Sequence, residues 1–212
     1  MERQLYVHLL PTLIAADRLA DGVVVVIDVL RASTTIIHAL GAGCSVVWPV
    51  ATQAAKGQLA LLGGERACQP IPGFDLGNSP TDYTQDVCRG KHVILTTTNG
   101  TKALLHAAAA ARVLVAGFVN FSAVCEQLAR ETRPVHLLCA GTDGYITLED
   151  TILAGAFIDV LHGKTTAMCD SARLAWDCFE HHGTVVEERL RLSLGGRNLI
   201  AAGYEDDLII AA

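Results

Sequence analysis

Hydrophobic residues in this chain fall into short unbroken runs separated by longer segments rich in alanine and leucine. The sharpest run is Val23-Val24-Val25-Val26-Ile27, five apolar β-branched residues in succession. A run with no polar face reads as a strand buried on both sides. Further strands are predicted over residues 4–9, 45–50, 92–97, 113–115 and 135–139. Helices are predicted over 34–40, 53–62, 100–110, 122–131 and 148–162, with two or three more beyond Ser171. The alternation implies an α/β fold: a single three-layer domain over residues 1–212, with a mostly parallel sheet and crossover helices on both faces.

Within that order a strand-turn-helix unit repeats. Three times a hydrophobic strand empties into a short polar turn that opens a helix, at residues 28–35, 96–101 and 139–144. If the strands are parallel neighbours in one sheet, all three turns meet at its carboxyl edge, where open sheets of this kind place ligands. Residues 67–88 form the longest stretch without a clear period, and a segment of that length reads as a functional lid or a flexible loop.

Composition supports a packed enzyme-sized core, since hydrophobic residues make up 51% of the chain and charged residues 18%. The net charge of −6 gives no basic footprint for nucleic acid. No apolar stretch approaches the length of a membrane span or a signal peptide, so a cytoplasmic protein is expected. The seven cysteines are scattered, with no Cys-x-x-Cys pair, which argues for reduced thiols over a disulfide framework or zinc site. The apolar bias is compatible with a homo-oligomer.

Chemistry concentrates where the first buried run ends. Asp28 caps five buried residues, and Arg31, Ser33, Thr34 and Thr35 follow with a guanidinium, hydroxyls and the first amides of a helix. That set suits a phosphate or similar oxyanion. An acid beside such a receptor is unfavourable unless a cation bridges the two. Glu65 after Gly63-Gly64, Asp75, Asp143 and the pair Glu149-Asp150 supply further carboxylates, enough for magnesium, which uses few protein ligands.

Several familiar templates are missing. There is no Gly-x-x-x-x-Gly-Lys-Ser/Thr loop, and Gly41 and Gly43 follow a helix instead of a strand. Leu30 stands where a haloacid-dehalogenase phosphatase would carry its second acid, and Tyr145 where a cysteine phosphatase would carry arginine after Cys139. No Gly-x-Ser-x-Gly elbow is present.

Five blocks then carry a specific resemblance: Asp28 to Ile36, Gly64-Glu65-Arg66, Gly73 to Pro80, Thr96 to Thr101, and Cys139-Ala140-Gly141 through Glu149-Asp150. Together they span roughly residues 20 to 160 and resemble the 2-phosphosulfolactate phosphatase family, with a looser echo in Gly196-Arg197 and Asp206-Asp207. The resemblance implies magnesium-dependent hydrolysis of (R)-2-phospho-3-sulfolactate to 3-sulfolactate and phosphate, a step in coenzyme M biosynthesis. On that footing Asp28, Glu65 and Glu149 or Asp150 are expected to hold Mg2+. Arg31, Ser33, Thr34, Thr35, Thr98, Asn99, Gly100, Thr101 and Gly141 are expected to clamp the small anionic ester, while Asn78 and Ser79 act from a lid. Catalysis is expected of Asp28, Arg31 and Glu65. Two alternatives stay open: a phosphatase for another phosphorylated hydroxy acid, and a non-catalytic anion-binding module.

Overall fold

The computed structural model describes residues 4–51, 60–164 and 167–212. Its strands are β1 (Gln4–His8), β2 (Val23–Ile27), β3 (Val46–Pro49), β4 (Ala60–Arg66), β5 (Gln69–Pro70), β6 (His92–Thr96), β7 (Arg112–Ala116), β8 (Val135–Cys139) and β9 (Ala167–Met168). The helices are α1 (Ala32–Gly41), α2 (Gln85–Cys88), α3 (Gly100–His106), α4 (Phe121–Ala129), α5 (Leu148–Leu161), α6 (Asp170–His182), α7 (Val186–Leu192), α8 (Leu194–Ala201) and α9 (Asp206–Ala211).

The expected α/β architecture is present, but its strands divide between two sheets. One has the order β7-β2-β8-β1-β9, with every pairing parallel. The other runs β3-β6-β4-β5 and is parallel except for the β4–β5 hairpin. Helix α1 packs on β7 and β3, and α3 on β2 and β3, so both helices touch both sheets. The turn after β6 therefore reaches the other two turns from a separate sheet, correcting the single-edge expectation.

Strand β2 shows why the first sheet is buried on both sides. Val23, Val25 and Ile27 join a core cluster with Leu137 of β8 and Leu153, Phe157, Ile158 and Leu161 of α5. Val24 and Val26 point the other way, against Leu138, Ala103 of α3 and Ala107 just past its end. The two-residue period of a strand divides five consecutive apolar residues between two cores. Helix α5 is correspondingly apolar on most of its circumference, because the first sheet lies on one side and α6 on the other. The helices are so close at Gly155 that an added Cβ would stand 2.0 Å from the Ala175 carbonyl oxygen.

Two sequence expectations change here. Of the helix expected at 53–62, residues 53–59 lie outside the described residues, and Ala60 to Leu62 begin β4. The run Ala60-Leu61-Leu62 is equally legible as helix or strand, and pairing with β6 decides it. Residues 67–88 are also not a free lid. Gly64 donates its amide to the carbonyls of Leu76 and Gly77, Leu62 donates to Asp75, and Thr35 Oγ1 donates to the Asn78 carbonyl at 2.8 Å. Asn78, Ser79 and Pro80 are buried as a result. None of the helices among the described residues is long and apolar enough to cross a membrane.

Candidate active site

The carboxyl ends of β2, β4 and β6, the turn after β8 and the start of α8 enclose a cleft of about 600 Å³. Asp28, Arg31, Glu65, Asn78, Thr98 and Asn99 line it, together with Arg66, Asp143, Gly195 and Asn198. Polar turns from two sheets thus meet at one opening, the position open parallel sheets use for ligands.

Asp28 lies at the inner wall, 6% exposed. Its Oδ1 accepts from the Ala32 amide at 3.2 Å, and its Oδ2 faces Gly100, where an added Cβ would stand only 2.5 Å away. Glycine at the start of α3 is what admits this carboxylate. Behind Asp28 lie Glu149 and Asp150, 1% and 2% exposed, both from the first turn of α5. Asp150 spends both oxygens on backbone amides, Val29 at 2.9 Å and Gly141 at 3.0 Å, and so ties the turn after β2 to the turn after β8. Glu149 Oε2 is buried without a hydrogen-bond partner among the described residues. Its Oε1 abuts Gly195 so closely that a Cβ there would stand 2.4 Å away.

These three acids make no ion pair among the described residues. Burial, and then the facing Asp150, push Glu149 up to about 8, while burial raises Asp150 to about 6. Asp28 is held well above the usual carboxylate range by burial first and by Asp150, Glu149 and Glu65 beyond that. Buried like charges raise one another's proton affinity, and a bound cation relieves both penalties. The orphaned Glu149 oxygen and this uncompensated cluster fit a hard divalent ion held by one or two carboxylates, water and substrate oxygens. Among the described residues no group of three or more acid, histidine or thiol side chains is arranged to hold a metal ion, so any ion here rests on one or two carboxylates.

Glu65, expected among the metal ligands, has both carboxylate oxygens hydrogen-bonded to backbone amides. Its Oε1 accepts from the Thr98 amide at 2.8 Å and its Oε2 from the Cys68 amide at 2.9 Å, joining two parts of the rim. The second contact secures a turn in which Ala67 and Cys68 both have positive φ, 50° and 63°. Left-handed backbone at non-glycine residues costs of order 1–2 kcal/mol each, so it persists only where contacts over-determine it. Arg31 adds another such contact, with Nη2 donating to the Cys68 carbonyl at 3.2 Å.

Arg31 lines the cleft but is not a free fork. Its Nη1 pairs with Asp207 Oδ2 at 2.7 Å, Ser79 Oγ donates to the other Asp207 oxygen at 2.6 Å, and Tyr204 lies 4.4 Å from the guanidinium carbon. All of Arg31, Ser79 and Asp207 are at most 4% exposed. Pairing in such a site fixes the guanidinium in one orientation, and removing one partner of a buried pair costs about 3–5 kcal/mol. Asp207 and Tyr204 went unassigned in the sequence, where only the faint Asp206-Asp207 echo hinted at them.

The hydroxyls expected to clamp substrate face inward instead. Ser33 Oγ accepts from the Asp28 amide, Thr34 Oγ1 donates to the Val29 carbonyl, and Thr35 Oγ1 donates to Asn78. Thr101 exchanges hydrogen bonds with Thr97. Each stitches its turn into shape, as residues at helix starts commonly do. Ser79 is similarly committed, and Gly141, at φ 65°, contributes its amide to Asp150 and not to the cleft. Thr98 and Asn78 do line the cleft, though Thr98 Oγ1 and Asn78 Oδ1 are themselves buried, without a hydrogen-bond partner among the described residues. Asn99 lines it too, accepting the Asp143 amide at 3.1 Å.

The family model for 2-phosphosulpholactate phosphatase matches residues 8–212. A protein of Symbiobacterium thermophilum is 41% identical over 207 residues, 93% of this chain and 89% of its own length. One from Thermotoga petrophila is 43% identical, over 87% of this chain and 81% of its own. Both carry the name "probable 2-phosphosulfolactate phosphatase".

Proposed function

The chain belongs to the 2-phosphosulfolactate phosphatase family, and we propose on that premise that it hydrolyses (R)-2-phospho-3-sulfolactate to 3-sulfolactate and phosphate with the help of magnesium. The observation that carries the proposal is the buried group of Asp28, Glu149 and Asp150, without an ion pair among the described residues and reaching the cleft through Asp28.

Asp28 and Glu149 would hold the ion, since Asp150 and Glu65 already spend both oxygens on backbone amides. Bound there, magnesium supplies charge neutralisation to the phosphate oxygens. Arg31, steadied by Asp207 and Tyr204, turns its remaining N–H groups to the oxyanion. Asp150 keeps the turns after β2 and β8 in register, so that Asp28 and the ester meet in one geometry. Glu65 does the same for the turns after β4 and β6. Donors fixed before substrate arrives need no reorganisation as charge moves, which is where most of the rate enhancement originates.

The test is phosphate release from synthetic 2-phosphosulfolactate by chelator-treated protein, before and after magnesium is restored. Turnover is expected only with the ion present, and Asp28→Asn is expected to lower kcat by at least about 10³-fold while leaving circular dichroism unchanged. Full activity in the stripped protein, or in the folded variant, defeats the proposal.

A further inference from the structure

Two arginines line the cleft, and their surroundings divide them. Arg31 is buried and offset by Asp207. Arg66 is exposed, and makes no ion pair among the described residues. It is nevertheless placed: Nη1 donates to the Glu65 carbonyl at 2.7 Å and Nη2 to Thr96 Oγ1 at 3.0 Å. Those bonds hold the guanidinium across the carboxyl ends of β4 and β6. A guanidinium carries more N–H groups than these two contacts use.

Arg66 also closes β4 just before the positive-φ turn at Ala67 and Cys68, which Glu65 and Arg31 both grip. Its backbone is therefore as firmly set as the rest of the rim. Nearby, Thr98 hangs from Glu65 by its amide, while its hydroxyl and the Asn78 side-chain oxygen are buried away from solvent. At the mouth of the cleft the other exposed charged lining residue is Asp143, which repels anions. The anionic end of a substrate whose phosphate lies at Asp28 and Arg31 has one favourable direction in which to point.

We infer that Arg66 receives the sulfonate of the substrate and thereby sets the preference for sulfonated over plain phosphate esters. The inference rests on the hydrolase reading above and goes beyond it by separating the group that selects the ester from the groups that hold its phosphate. Sulfonate presents three equivalent oxygens, so a forked donor aligned on one side suits it as well as it suits a carboxylate.

The test compares 2-phosphosulfolactate with 2-phospholactate, the same ester carrying a methyl group in place of the sulfomethyl. Arg66→Gln is expected to reduce the ratio of the two kcat/KM values by roughly 10–100-fold, the span of one charge-assisted hydrogen-bonded contact. The loss should fall in KM for the sulfonated ester, and Arg66→Lys should recover part of it by retaining charge. Equal losses for both esters, or an unchanged ratio, would overturn the inference. Calorimetric binding of 3-sulfolactate against lactate decides the matter without turnover. A wild-type preference for sulfolactate that disappears in Arg66→Gln upholds the role of Arg66, even if the hydrolase reading fails for want of phosphate release. A preference that survives the substitution, or is absent from the wild type, overturns it.

Discussion

At the scale of single residues, the site is governed by buried acids that folding has brought together with no ion pair among the described residues. Glu149 releases its proton near pH 8 in the folded chain, against an ordinary value of 4.5. Between these limits the folded chain binds more protons than the unfolded one, so the stability Glu149 contributes is complete below about pH 4.5 and is lost as pH rises toward 8. Asp28 acts in the same sense. His8 and His136, whose proton affinities burial lowers, act in the opposite sense below their ordinary value of 6.5. The window from pH 6.5 to 8 therefore isolates the acids. Chelator-stripped protein should lose thermal stability across that window, and magnesium should raise the unfolding midpoint more at pH 8 than at pH 6.5. A midpoint that climbs with pH in the stripped protein would contradict this.

Residue scale is also where the sequence was most and least informative. Asp28 was legible because five buried neighbours leave an acid at a strand end with no ordinary surface role. The hydroxyls of Ser33, Thr34, Thr35 and Thr101 misled, since the same residue types at a helix start can bind an anion or stitch a turn. Only three-dimensional partners such as Val29 and Asn78 distinguish these uses. Asp207 was out of reach, because its partner Arg31 lies 176 positions earlier in the chain.

At the scale of elements, hydrophobic period fixed the strands and helices that are buried on known faces, β2, β8 and α5 among them. It failed at β4, whose leucines fit either period and whose partner β6 lies some thirty residues on. Long-range pairing of that kind is a tertiary decision. The packing of α5 on α6 gives a prediction in which two effects oppose each other. Alanine is a better helix former than glycine by about 1 kcal/mol, yet a methyl group at Gly155 would press on the Ala175 carbonyl. Overpacking of this sort costs about 1–3 kcal/mol, and backbone on the receiving side cannot rotate away. Gly155→Ala should therefore lower stability in urea denaturation, whereas a gain would show that the two helices separate easily.

At the scale of the whole molecule, two mostly parallel sheets bridged by α1 and α3 direct three polar turns into one cleft. Sequence alone implied that the turns converge; the division into two sheets was hidden, because strand order depends on pairings that no local pattern encodes. The arrangement places a buried acid cluster behind one wall and two arginines of contrasting exposure along the rim. On the proposed reading, an anionic ester is held by a cation at its phosphate and by guanidinium groups elsewhere, with the fold supplying fixed positions for the residues involved.

The most direct measurement is calorimetric titration of magnesium into chelator-stripped protein at pH 8, repeated for Glu149→Gln and Asp28→Asn. The account predicts about one ion bound per chain, with affinity reduced at least about 10-fold in each variant. No binding to the wild type, or equal affinity in wild type and both variants, would contradict it.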